Sequence, residues 1–552
     1  MILTLGKRLA LCLILLLCCG SSSLADSPSS KIAAEAAAKA VAAQEKAAEA
    51  AAKAKEKAAA AAVRAKEEAA KAEEKAAAAA AKAKAEAAAA AAKAEAKASA
   101  ASASSHAVGY INVKSDGGAK GDGATDDQSA ITHGVALAIA THKPLYFPAG
   151  TYMHSDNIYV NGIAMYGAGA STTLIATTSN SGTIYLSGSG ASVSTLRLCY
   201  SNPIGGPSYD TSECAIFTQS AKNFKISQVT IINSSANGIY CLQSGPGTIS
   251  SVLIQAHSPN ACGTFIQDCS SVSVTGCTMP DLTSWTYQAG SNYLAVESNT
   301  FTTTAITSSP VIISGLSNGT FSKNTVLGGT VYIGGAPANN QLLLGNQGPV
   351  NNLTVTANLL DGTNVPLNYQ NKLGFIVNGS NYNPGVNSVT LTSNVIRNLS
   401  GAGAGITLGG SVTNATINSN TIENILGDPG FTPGIGILSY SVGNLTIENN
   451  TITNVDSTAI YIAPNTGVGV VNILSNVISN ACRKNGSAII ESDNPNLCPG
   501  VIITKAAITN NFYKGSANQA KSYVVFTDPS AHVLTFSGNT QANTLLPNNI
   551  QD

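Results

Sequence analysis

The feature that most restricts how this chain can fold is a short pattern that keeps returning in its C-terminal part: an asparagine directly before a pair such as Val-Ile or Thr-Ile. It stands at Asn394, Asn420, Asn450 and Asn476, each time behind a strand-like run such as Leu445-Thr-Ile-Glu, and the same site recurs at Asn299, Asn324 and Asn539. Clear neighbours lie 25, 26 or 30 residues apart, with wider gaps where loops intrude. A second short strand precedes each one, at Ala215-Ile-Phe, Gly238-Ile-Tyr, Gly263-Thr-Phe and Ala459-Ile-Tyr among others, which predicts two or three strands per repeat. Strands this short, rich in Val, Ile and Thr and separated by Gly, Asn and Ser, cannot bury an apolar face alone. Stacked repeat on repeat they can, and parallel pairing brings like residues within about 4.8 Å, so that one amide bonds the next. The expected fold is all-β, a parallel β-helix solenoid of about a dozen turns. An antiparallel sandwich does not accommodate 447 residues, and Asn-Gly hairpin signals do not separate the strands.

The rest of the chain divides by composition. Residues 1–25 have a basic start (Lys7, Arg8), an apolar run from Leu9 to Cys19 and a small-residue exit at Ser23-Leu24-Ala25, the pattern of a signal peptide cleaved before Asp26. The run falls short of the roughly 20 residues a membrane-spanning helix needs. No retained membrane span is expected, and a secreted, periplasmic or cell-surface location is. A lipoprotein reading, with Cys18 or Cys19 acylated, is disfavoured by the bulky residues ahead of them. Residues 26–105 form an Ala-rich arm: 31–104 are almost wholly Ala, Lys and Glu without Gly or Pro, and acid-to-base pairs such as Glu35 and Lys39 stand four apart. Some 70 helical residues reach roughly 105 Å. Beyond Ile32 only Val41 and Val63 break the alanine surface, too weak a seam for a predicted coiled-coil oligomer. The arm reads as a spacer, or as a contact to the cell envelope. The solenoid occupies 106–552.

Of eleven cysteines, eight lie beyond the signal. In an exported chain they can pair, Cys199 with Cys214 and Cys482 with Cys498 being the first pairs to test, or remain buried thiols. No CxxC spacing suggests zinc. Fourteen basic and 10 acidic residues in 31–97, against 14 and 19 in 106–552, leave no strong basic field, and a nucleic-acid partner is not expected.

The solenoid begins Tyr110-Ile-Asn-Val-Lys-Ser-Asp-Gly-Gly-Ala-Lys-Gly-Asp122-Gly-Ala-Thr-Asp-Asp127-Gln-Ser-Ala-Ile131, followed by Pro144-Leu-Tyr-Phe-Pro-Ala-Gly-Thr-Tyr152 and Met165-Tyr-Gly-Ala-Gly169. This opening resembles the pectate-lyase-like superfamily, which includes rhamnogalacturonase and epimerase-like domains, fungal β-glucanases and phage tail depolymerases. The resemblance implies a right-handed parallel β-helix and a polysaccharide substrate or glycan ligand. Thr125 or Asp126 is expected to cap a helix running to about Ala140 that closes the end of the stack, with Asp126 and Asp127 as caps and His133 within that helix. The Asn-Thr-Asp, Asp-Asp and Arg-Ile-Lys set of polygalacturonases and the Asp-Pro-His-Asp of alginate epimerases are absent from the sequence. No named activity carries over.

Hydrolysis of a polysaccharide needs two carboxyl groups flanking the bond, and lyase chemistry a base with a cation, Ca²⁺ among the candidates, to neutralise a uronate. No other cofactor and no protein metal site is implied. Charged residues number only 33 of the 447, so clusters carry weight. Three segments just ahead of the Ala-Ile or Gly-Ile strands, 200–213, 257–262 and 279–290, should form one wall. They bring Tyr209, Asp210, Glu213, His257, Asp281, Trp285 and Tyr287 together, with Asp268 at the far end of a strand between them. Asp210, Glu213, Asp281 and Asp268 are the candidate acids, bases or nucleophiles, against the alternative of solvated loop carboxylates. Trp285, Tyr209, Tyr287, His257 and Arg197 are the candidate sugar contacts; for Trp285 the alternative is a loop anchor, for His257 a structural histidine, and for Arg197 a surface salt bridge. A rival cluster joins Asp361, Asp428, Arg483 and Lys484. Glu297 and Glu448 fall on an outward face about six turns apart, too far to cooperate. Two functions remain open: a glycoside hydrolase or polysaccharide lyase, or a non-catalytic, adhesin-like surface protein that binds glycans.

Overall fold

A computed structural model describes residues 109–550 apart from 179–180, 203–213, 235–236, 258–261, 280–283, 288–290, 303–310, 329, 335–348, 364–373, 380–384, 428–432, 441, 464–467, 485–487, 493–502, 515–521, 527–533 and 543–545. All lie in the second of two units, Ser104–Asp552. The proposed signal and arm fall outside the described residues.

Each repeat makes one coil of three strands, and every strand pairs in parallel with its counterpart in the next coil. In one coil these are Ile239–Leu242, Gly247–Ser250 and Leu253–His257; in the next, Cys262–Gln267, Val272–Thr275 and Thr278–Met279. We call the three resulting surfaces faces 1, 2 and 3. Face 1 is a sheet of fifteen strands, somewhat more than the expected dozen turns. Faces 2 and 3 join into one 30-stranded sheet, because Ser192–Tyr200 and Phe224–Ser234 run through the corner unbroken. The chain is a parallel β-helix, as its repeats predict. Alternate residues of most described strands enter a continuous core, in which Val355, Leu391, Ile417 and Ile447 stack coil on coil.

The corner between faces 2 and 3 carries the repeating asparagine. The residue ahead of it takes the left-handed conformation in coil after coil, φ running from +54° at Lys323 and Ser475 to +67° at Gly538, and this turns the chain. Nine asparagines from Asn299 to Asn539 then bond in series, each Nδ2 donating to the next Oδ1 at 2.9–3.1 Å. The same Nδ2 donates to a carbonyl of the preceding coil, as Asn420 does to Leu391 at 2.9 Å, while the backbone N–H donates to the next Oδ1. A buried polar side chain is thereby satisfied on every side.

Helix α1, Gln128–Thr141, closes the first coils with Ile131, Val135 and Ala138 buried. Its N-cap residue is Asp127 rather than Thr125 or Asp126, and the Asp127 side chain makes no capping bond. The buried Asp127 carboxylate instead accepts the backbone N–H groups of Lys120 and Gly121, at 2.7 and 2.9 Å, and ties the preceding loop to the helix start. Asp126 accepts from Gln128 N–H and from Ser155. The two aspartates thus hold the chain in place, as expected, though by bonds other than those of a simple cap.

Among the described residues Cys199 and Cys482 form no disulfide, so the expected Cys199–Cys214 bridge is not made, and Cys498, the expected partner of Cys482, lies outside the described residues. Cys199 pairs with Ile175 and Ile232 on face 3, while Cys214 packs against Phe217, Tyr240 and Phe265 on face 1. Two faces of the coil separate them. Cys482 donates to the carbonyl of Ala488, and burial together with the charge of Glu491 pushes its thiol up to about 12.

Candidate functional site

On face 1 the residues between the core positions stand outside the coil, and over five successive coils all of them are aromatic. Tyr159, Tyr185, Phe217, Tyr240 and Phe265 are in register, with ring centroids 5.0, 5.3, 5.3 and 4.7 Å apart. The row continues through Thr286 and Ile312 to Tyr332. Its members differ in exposure. Tyr159 is 58% exposed and stacks on Tyr185, whereas Phe217, Tyr240 and Phe265 are buried although they lie outside the main core. The Tyr240 hydroxyl donates to Gln267 Oε1 at 2.7 Å, and burial raises its pKa above the ordinary phenol value.

Asp268 follows directly, at the corner between faces 1 and 2, with φ +52°. Partial burial raises its carboxyl above the usual range, and a hydrogen bond from Gln267 opposes that shift. A carboxyl that holds its proton more readily beside an aromatic surface has the character of a general acid. Of the nine candidate residues, Asp268 is the one whose described side chain lies at this row.

Tyr209, Asp210, Glu213 and Asp281 fall outside the described residues. The backbone resolves the other three wall positions. His257 ends strand Leu253–His257 and pairs with Ser234 on face 3, so it precedes the corner. The stretch 279–290 is not one loop: Ser284–Tyr287 is itself a strand of face 1, with Thr286 paired to Phe265 and Ile312. Tyr287 pairs with Ile266 and Ile313, both core residues, and Trp285 lies within the same strand. The expectation of one loop over 279–290 is therefore corrected: four of its residues form a strand, because the repeat needs them for its place on face 1, and 280–283 and 288–290 lie outside the described residues. Arg197 lies on face 3, half-buried, between Thr173 and Thr230 in register, and so away from the aromatic row.

The rival cluster separates into two ion pairs. Asp361 accepts from Arg397 Nε at 2.8 Å and from Asn398 at 3.2 Å; burial works against its ionised form, and the hydrogen bonds from Thr363, Arg397 and Asn398 hold its pKa down. Arg483 and Lys484 face Asp456, which is completely buried, at 3.9 and 2.8 Å. Asp428 lies outside the described residues. Glu297 and Glu448 do share one outward row, five coils apart by register. Sequence reasoning missed Asp456 and the face 1 aromatics. The signal for Asp456 was its distance of 28 residues from Lys484, one repeat. The signal for the aromatic row was the third residue of Ala215-Ile-Phe, Gly238-Ile-Tyr and Gly263-Thr-Phe, already visible as strands.

These features define a class, a parallel β-helix with an aromatic row outside one sheet. Residues 110–327 match the family described as rhamnogalacturonase A/epimerase, pectate lyase-like, and over that stretch the parallel β-helix is similar to pectate-lyase-like proteins. Among curated proteins no sequence match was found. Similar solved structures include the A-module of mannuronan C-5 epimerase AlgE6 of Azotobacter vinelandii, 17% identical, covering 80% of this chain and 94% of that one with a TM-score of 0.32. The catalytic unit of the GH87 α-1,3-glucanase from Streptomyces thermodiastaticus is 13% identical and covers 79% and 70% with a TM-score of 0.33. PfbA, a surface adhesin of Streptococcus pneumoniae, is 13% identical and covers 76% and 92% with a TM-score of 0.40. At these identities the likeness concerns the fold alone. No helix among the described residues is long and apolar enough to cross a membrane.

Proposed function

We propose that the protein is an exported polysaccharide-active enzyme, a glycoside hydrolase or polysaccharide lyase, whose glycan lies along the aromatic row of face 1. The observation that carries this reading is the solvent-facing end of the row, where Tyr159 stacks on Tyr185. Aromatic rings present flat apolar surface to the C–H faces of sugars, and the row reaches solvent at Tyr159 and Tyr185. Asp268 stands at its edge as the described candidate acid, with Asp210, Glu213 and Asp281 as its candidate partners, and Trp285 and Tyr287 belong to the next strand along. A uronate substrate would call on Ca²⁺ in a lyase reaction.

The test is a panel of acidic and neutral polysaccharides, assayed with and without Ca²⁺ for new reducing ends and for absorbance of unsaturated uronates. A Tyr159→Ala, Tyr185→Ala double variant should lose glycan binding, and Asp268→Asn or a Asp210→Asn, Asp281→Asn double variant should lose turnover while keeping binding. Binding unchanged in the tyrosine variant removes the proposed site.

A second reading, a non-catalytic glycan-binding surface protein, is favoured by the pairing of Asp361 with Arg397 and of Asp456 with Lys484, which commits two of the described carboxylates to structure. Binding without turnover across the panel selects it.

A further inference from the structure

Face 2 carries an outward grid that the glycan reading does not use. In five successive coils one row reads Thr320, Thr354, Thr390, Thr416 and Thr446. Two residues further along the same strands a parallel row reads Ser322, Thr356, Thr392 and Asn418, bounded in the neighbouring coils by Glu297 and Glu448. All are half-exposed, and between them Phe321, Val355, Leu391 and Ile417 are buried to 1% or less and hold the sheet from beneath. Parallel pairing spaces the coils by about 4.8 Å, and two residues of strand span about 6.6 Å, so over the four coils from Thr320 to Thr416 the grid is about 14 Å long and two columns wide. A β-branched side chain has few χ1 states, so the threonine hydroxyls and methyls are pre-set on the sheet. Beside the first column the exposed amides of Asn292, Asn318 and Asn352 bond from coil to coil at 3.0 and 3.1 Å, and those of Asn414 and Asn444 at 2.9 Å.

The chemistry of the grid narrows its occupant. These columns contain no aromatic ring for a sugar to stack on, and none of the Trp, Tyr or Arg anchors on which protein interfaces depend. They contain no Lys or Arg for a phosphate backbone or an anionic lipid. What remains, in the four coils from Thr320 to Thr416, is a rigid, uncharged, two-dimensional lattice of hydroxyl, amide and methyl groups, which can order a layer of water at little entropic cost because the groups are already fixed. We infer that face 2, between the coils of Thr320 and Thr416, is a docking surface for ice. Ice presents water at fixed positions, and a regular array can match many of them at once; each contact is weak, and the sum follows from repetition.

The experiment uses the full chain. A dilute solution is frozen slowly on a cold finger, and the protein in the ice fraction is compared with an unrelated protein of similar size; crystal growth in annealed frozen films is followed alongside. The expected result is enrichment in the ice and suppressed recrystallisation, both lost in a Thr356→Lys, Thr392→Lys double variant. A Thr451→Lys variant on exposed face 3 should behave as the parent does. Circular dichroism and thermal unfolding confirm that each variant is folded, and a milder Thr356→Val, Thr392→Val pair, which keeps the shape and removes the hydroxyls, replaces the lysine variant if that does not fold. Parent protein excluded from ice like the reference protein overturns the proposal. So does equal enrichment of parent and double variant.

Discussion

The corner between faces 2 and 3 is built twice with different chemistry. In the earlier coils its buried residue is Leu196, Val229, Val252 or Cys277; from Asn299 onward it is asparagine. The backbone turns alike in both, since Thr195, Gln228 and Ser251 have φ of +53° to +55°, as the residues ahead of the asparagines do. The left-handed residue therefore makes the bend, and the asparagine links one bend to the next. Where strands run through the corner unbroken, as in Ser192–Tyr200 and Phe224–Ser234, an apolar residue suffices. At Val252 and Cys277 the strands are broken and the bend is still apolar; from Asn299 onward the amide links each broken corner to the next.

Several substitutions sharpen or break that contrast. The largest effect is expected for Asn420→Leu, which strands the backbone N–H and Nδ2 of Asn394 and the carbonyl of Leu391; these are buried groups in one network, and the loss should be about 3–5 kcal/mol by chemical denaturation. A loss below about 1 kcal/mol would show that the ladder is ornament. Val252→Asn introduces an amide whose next neighbour is Cys277, with no oxygen in reach of the series; a cost of about 2 kcal/mol is expected from one buried, poorly satisfied group.

The interior of the first coils also holds a titratable group, His154, whereas asparagine does not titrate. Burial lowers the pKa of His154, although its hydrogen bond with the Asp156 carbonyl and the nearby aspartates oppose the shift. The unfolded chain therefore takes up a proton, near 6.5, that the folded chain resists. Stability contributed by neutral His154 is full above that pH and declines as pH falls beneath it. Hydrogen exchange should show the first coils opening more readily at pH 5 than at pH 7, with the asparagine-rich coils changing less, and His154→Gln should flatten the difference. The smallest effect is expected for Cys277→Asn. Asn299 Oδ1 already accepts the Cys277 N–H at 2.9 Å, so a new amide there extends the ladder by one rung, and unfolding should shift by less than about 1 kcal/mol. A large destabilisation would mean that the two kinds of corner are not interchangeable.

The sequence shows the ladder plainly because one residue type returns at one interval, and the same interval places Lys484 beside Asp456. The candidate site was harder to read. Its aromatic row is made of Tyr and Phe, which also serve as core residues, and only register separates Phe217 outside the coil from Phe321 within it. Trp285 and Tyr287 appeared to lie in a loop because their strand, Ser284–Tyr287, lacks the Ala-Ile or Gly-Ile signature of its neighbours.

Sequence alone thus determined the repeat, the parallel stacking and the asparagine ladder, since each depends on spacing along the chain. Tertiary structure alone decided which face a side chain takes and what it meets one coil away: Arg197 on face 3, Cys199 apart from Cys214, Asp361 bound to Arg397, and five aromatic rings aligned on face 1. The physical reason is the strand's period of two, in which a slip of one residue exchanges inside for outside, so that loop length, invisible to a pattern of types, sets every contact between coils.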